Sequence, residues 1–156
     1  MKQLIFLITI LSSFNLFAQN VDDFIQLLKS DVQKDKTTII TQVMKFSDEQ
    51  SKLFWPIYNE FSNELMKLSD KRIANIKDFA ANYDSLTDEK ANELIENAFD
   101  FQGDRLDLNE KYYKKFADAL GPIIAAKYMQ LEYELQLIID LSVNSNLPLA
   151  KRPSEE

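Results

Sequence analysis
The sequence predicts an all-α protein of about four helices, two of them long, folded as an elongated hairpin-like protomer. Three observations carry this expectation. Only two glycines and four prolines interrupt 156 residues, and the stretches between them are rich in Leu, Lys, Glu, Ala and Gln, which favour helices. Apolar residues recur at spacings of three and four, the pattern of a helix laid along a partner helix. No segment alternates apolar and polar residues long enough to read as a strand.

The same composition excludes several classes of function. With no His and no Cys there is no Cys/His zinc centre, no disulfide, no thiol nucleophile and no Ser-His-Asp triad. Two glycines cannot build a P-loop or a dinucleotide fingerprint. Twenty-five acidic residues against 18 basic ones, a net charge of −7, argue against nucleic acid, whose binders carry a basic face. An enzyme would have to work through paired carboxylates, as in glycoside hydrolysis, and slender helices offer those little concave scaffold. The reading is therefore non-enzymatic, without catalytic residues, cofactor or resident metal.

Residues 1–18 read as a signal peptide. Lys2 supplies a short positive start, Leu4 to Leu11 an apolar run, and Ala18 a small residue before a cut at Gln19. The apolar run ends near Phe17, short of the roughly 20 residues a spanning helix needs. Export to the periplasm or beyond is expected, with no stable membrane insertion after cleavage. No Cys follows the run to take a lipid. Residues 19–150 then form one helical domain, and residues 151–156 a disordered tail.

The elements follow in order. A first helix is expected from about Val21 to Met44, with Phe24, Leu27, Leu28, Val32, Ile39, Ile40 and Val43 on or near one face. A second runs from Ser47 to about Tyr83 on a seam of Phe54, Tyr58, Phe61, Leu65, Leu68, Arg72, Ile76 and Phe79. Pro56 sits inside it, where it removes a backbone donor and meets the carbonyl of Lys52, so a kink is expected. The third runs from Asp88 to about Leu120, with Ala91, Leu94, Ile95, Ala98, Phe101, Leu108, Tyr112 and Phe116 inward. Gly121 ends it and Pro122 opens the fourth, which carries Ile124, Tyr128, Leu131, Leu135 and Ile138. From Asn144 onward the chain is polar and contains proline.

Two short motifs mark helix starts. Phe46-Ser47-Asp48-Glu49-Gln50 contains a full capping box, because Ser47 and Gln50 can each bond the other's amide. Leu86-Thr87-Asp88-Glu89-Lys90 contains half of one, since Lys90 has no acceptor to return. This apolar-Ser/Thr-x-x-Gln pattern, present twice about forty residues apart in an exported helical chain, resembles the LTxxQ (Spy/CpxP-like) family of exported helical proteins. Phe54-Trp55-Pro56-Ile57-Tyr58 and Ala80 to Thr87 resemble its relatives labelled transcriptional regulator or sensor of extracytoplasmic sigma factor. The resemblance spans about Asp22 to Leu149. It implies an all-helical, thin, curved homodimer that cradles unfolded envelope proteins or contacts a stress-signalling receptor. The chain departs from that family in two ways: its charge is acidic where Spy-like chaperones have a basic concave face, and it lacks the His-rich segments of zinc-responsive relatives.

Candidate binding residues lie in Leu53 to Tyr58, six consecutive apolar or proline residues. At about 100° per residue these surround the helix, so one intrachain partner cannot cover them all. Phe54, Trp55, Ile57, Tyr58 and Phe61 are thus a candidate protein-binding or dimer surface, the alternative being a dense core crossing near Pro56. Asp100, Asp104 and Asp107 share a helix face, an arrangement that lacks the converging loop of a tight oxygen cage. The expected function is a chaperone-like or envelope-stress accessory protein that binds unfolded or partner proteins. The alternatives are a signalling accessory docking an envelope sensor or anti-sigma factor, or a purely structural envelope protein.

Overall fold
The computed structural model describes residues 36–150, and among these the chain is helical with no strand. The elements are α1 over 36–44, α2 over Asp48–Asn82, a short 3-10 turn over Tyr83–Ser85, α3 over Asp88–Leu120 and α4 over Pro122–Ser145. The expected signal peptide, the start of the first helix and the expected tail over 151–156 lie outside the described residues.

Local chemistry accounts for each boundary. Lys45 adopts φ 50° and ends α1 in the left-handed conformation, its amide bonding the carbonyl of Thr41 at 3.3 Å. The capping box of α2 is complete: Gln50 N–H donates to Ser47 Oγ at 3.2 Å and Ser47 N–H to Gln50 Oε1 at 3.0 Å. Thr87 Oγ1 accepts from the Lys90 amide at 3.2 Å and opens α3. Pro56 lies on the exposed side of α2, and the helix continues past it to Asn82.

Gly121 closes α3 at φ 87° and ψ 151°, its N–H on the carbonyl of Ala117. That backbone region is essentially reserved for glycine. An added Cβ would meet nothing within 4 Å, so Gly121→Ala tests backbone strain alone and is expected to cost about 1–3 kcal/mol in thermal or urea unfolding. Gly103, helical within α3 and equally uncrowded, should respond with the opposite sign. Gly103→Ala is expected to stabilise by about 0.5–1 kcal/mol.

Ion pairs between helices show their relative directions. Glu60–Lys115, Glu64–Lys111 and Lys71–Asp104 cross between α2 and α3, at 2.7 to 2.9 Å, and their rising and falling numbers make the two long helices an antiparallel hairpin. α4 returns alongside, antiparallel to α3 and parallel to α2, with Asp140 bound by both Arg72 and Arg105. α1 lies antiparallel to α4 through Lys36–Glu132 and a bond from Lys127 to the Val43 carbonyl.

The core is aromatic at the end where all four helices meet. Phe54 is wholly buried, with the rings of Tyr128, Phe116 and Tyr58 at 4.9, 5.1 and 5.7 Å, separations that suit edge and offset contacts. Tyr58 and Phe61 are buried with it. This corrects the expectation of a surface at these three positions: α2 is covered here by both α3 and α4, so they form the crossing. Three other inward assignments are corrected. Val43 is exposed and Met44 is buried, one turn on from Ile40. Ile95 and Ile138 are exposed, each on a helix whose apolar residues exceed the one face that the bundle covers.

Candidate functional site
At the opposite end of the hairpin the packing is looser. Small Ala91 and Ala98 on α3 face Ile76 and Phe79 on α2, and the C-terminal turns of α4 lie across them, leaving a half-open cavity of about 340 Å³. Leu86, which precedes the α3 cap, lines it and is buried. Ile95, half exposed, stands at its rim. Asn75 contributes little free polarity, because its amide donates to the Leu94 carbonyl at 3.0 Å and its oxygen accepts from Asn97.

A charged cluster closes one end of this cavity. Arg72 donates to Asp140 at 2.6 Å and lies 3.4 Å from the Asn144 side-chain oxygen. Arg105 donates to both Asp140 oxygens, at 2.9 and 3.2 Å. Both guanidinium carbons lie over the Phe101 ring, 5.4 and 5.2 Å from its centroid, within cation–π range. Two guanidiniums thus share one carboxylate, and of the three groups Arg72 and Asp140 line the cavity.

Burial pulls the Asp140 carboxyl up, but the hydrogen bond from Arg105 and the charges of Arg105 and Arg72 outweigh it and hold the group below its ordinary value. A carboxylate lowered in the fold contributes stability that is present above its unfolded value, about 3.9, and lost as pH falls through the lower folded value. Stability should therefore fall on acidification below about pH 4. Asp140→Asn should weaken the protein at neutral pH and flatten that part of the acid limb, as read by urea midpoints between pH 5 and 2.5.

The other end holds a second polar group that is structural. Lys36 and Glu132 are buried as a pair at 2.6 Å, and Tyr128 donates to the second Glu132 oxygen at 3.3 Å. Burial and the Glu132 charge push the Tyr128 and Tyr58 hydroxyls up. Tyr112 rises to about 12, by burial and its bond to Glu64, while its ring packs in the core. All three stay neutral at physiological pH.

The sequence-derived site residues divide between these two ends. Phe46 packs on Phe54 with centroids 4.4 Å apart and the rings tilted by 36°, and Ser47 and Gln50 form the α2 cap beside it. Thr87 caps α3 and Leu86 enters the cavity wall. Trp55 and Ile57 are partly buried against the aromatic core. The row Asp100, Asp104 and Asp107 lines an open groove between α2 and α3, with Asp104 paired to Lys71. Among the described residues no group of three or more His, Cys, Asp or Glu side chains is placed to hold a metal. No described helix is long and apolar enough to cross a membrane.

Sequence reasoning did not single out Arg72, Arg105, Asp140 or the cavity walls as a site. One signal for it was present: Arg72 occupies an apolar position in the α2 seam, which a helix tolerates when a carboxylate waits opposite. Compared with known proteins, the chain matches no family model, no curated protein and no solved structure.

Proposed function
We propose that this is a non-enzymatic binding protein of the cell envelope, chaperone-like or an envelope-stress accessory, that holds an apolar segment of an unfolded or partner protein. The observation supporting the reading is the half-open, apolar-walled cavity of about 340 Å³ with the Arg72–Asp140 pair at one end. A cleft of that size suits a few side chains rather than a whole domain. Apolar side chains of the client enter between Ile76, Phe79 and Leu94, and an acidic side chain or a terminal carboxylate nearby meets Arg72. The export signal read over residues 1–18 and the resemblance to the LTxxQ family support the periplasm as the compartment.

Filling the cavity tests the reading. Ala98→Trp places an indole between α2 and α3 from a position that is only partly buried. The unmodified protein is expected to suppress aggregation of an unfolding client near stoichiometric ratio, and the variant to need about fivefold more, with helical content unchanged. No suppression at any excess contradicts the proposal, as does a variant that performs as well as the parent.

A further inference from the structure
One part of the cavity wall is not made by a helix. α4 closes with the Asn146 amide on the Val143 carbonyl and the Leu147 amide on the Asn144 carbonyl, both at 3.2 Å. The Asn146 side chain donates to the Ser142 carbonyl at 2.7 Å. These bonds end the helix, and residues 147–150, Leu-Pro-Leu-Ala, continue without regular structure. Leu147 and Ala150 nonetheless line the cavity, opposite walls that α2 and α3 supply.

This segment is anchored differently from the rest of the wall. Ile76, Phe79, Leu94 and Ala98 sit inside long helices whose backbone bonds fix them in place. The amides of Asn146 and Leu147 return to α4 itself rather than reaching across the cavity, and Pro148 has no N–H to donate. At the base of the segment, Asn144 lies 3.4 Å from Arg72, long for a hydrogen bond. Leu147 is only partly buried, Leu149 is 89% exposed and Ala150 is exposed. Side chains so seated gain a fraction of what full burial gives. A segment with few buried apolar contacts opens locally at little cost.

The segment also has the chemistry of the proposed client. It is uncharged, apolar and extended, and Leu147 and Ala150 reach the cavity while Leu149 stays exposed. We propose, on the reading of the cleft given above, that residues 147–150 are a strap: a tethered self-ligand seated at the edge of the cleft, which a client must displace. The client's observed affinity is then reduced in proportion to the share of molecules whose strap is open. Competition with this segment makes the preferred client a short, uncharged, leucine-bearing stretch of chain.

Anilinonaphthalene sulfonate, a small apolar fluorescent anion, serves as the probe, and every variant keeps the full chain. The parent is expected to bind it, and Ala98→Trp to remove the share bound in the cleft. Leu147→Ser with Ala150→Ser loosens the strap and should tighten cleft binding about fivefold, with helical content unchanged because both positions lie beyond α4. The chain has no cysteine, so Leu149→Cys takes a single nitroxide label on an exposed position. Its electron paramagnetic resonance lines should sharpen as the probe saturates the cleft. A fixed wall loses affinity when its leucine is removed, so equal or weaker binding by the serine variant overturns the strap. Label lines that the probe leaves unchanged or broadens do the same. Those results, with binding still lost in Ala98→Trp, leave the cleft reading standing; probe binding that is absent or indifferent to Ala98→Trp overturns both.

Discussion

Phe54→Ala is expected to lower the free energy of unfolding by about 4 kcal/mol, the largest effect of any single side chain here. The ring is fully buried and lies within 5.7 Å of the ring centroids of Phe46, Trp55, Tyr58, Phe116 and Tyr128, which come from α2, α3, α4 and the α1–α2 connection. Its removal forfeits both the transfer free energy of the ring and the contacts lining the void, because neighbours held by three helices cannot all collapse inward. Urea denaturation at neutral pH measures the loss. Trp55, only partly buried, should cost less by the same assay. A loss below about 1.5 kcal/mol at Phe54 would mean that the crossing does not organise the bundle.

Glu132→Ala is the second large effect, expected at about 3–4 kcal/mol. The substitution leaves Lys36 buried without its carboxylate and Tyr128 without its acceptor. Most of the cost is an unpaired buried charge rather than the worth of the pair itself. Removing both charges together should therefore be far milder. Lys36→Met with Glu132→Leu is expected to recover at least half of the loss, a comparison that urea midpoints of the two variants decide. If the double variant is as weak as Glu132→Ala, the pair contributes geometry that apolar side chains cannot replace.

Helix limits were legible in the sequence because their signals are local. Ser47 with Gln50, Thr87, and Gly121 with Pro122 each act on a backbone group within four residues, and α3 spans Asp88–Leu120 as read. Which face each helix buries was less legible. Val43, Ile95 and Ile138 are apolar and helically spaced, yet exposed, because α4 and parts of α1 and α3 are apolar on more than one side and periodicity then has no single answer. The run Leu53 to Tyr58 posed the same difficulty. Phe54 and Tyr58 are core only because Phe116 and Tyr128 arrive from other helices, information that no local window contains.

The cavity was the least legible feature. It arises where Ala91 and Ala98 meet Ile76 and Phe79 across antiparallel helices, so it depends on register rather than on any motif. Asp140 interrupts the apolar run Leu137 to Leu141 and Arg105 lies in a separate polar stretch, and the two become a cluster only through the α3–α4 connection. Capping motifs at Ser47 and Thr87 were conspicuous for the opposite reason. They perform local work, and in the structure only Leu86 beside the second of them reaches the cleft.

The cleft between α2, α3 and α4 is the proposed seat of an apolar segment of another protein. A photo-reactive phenylalanine analogue in place of Ile95, at the cavity rim, tests it most directly against the same analogue in place of exposed Glu49 on the first turn of α2. An unfolding client is expected to be captured from position 95, capture is expected to fall when Ala98→Trp fills the cavity, and position 49 is expected to capture little. Equal capture from both positions, or capture from position 95 that the filled cavity leaves unchanged, would contradict it.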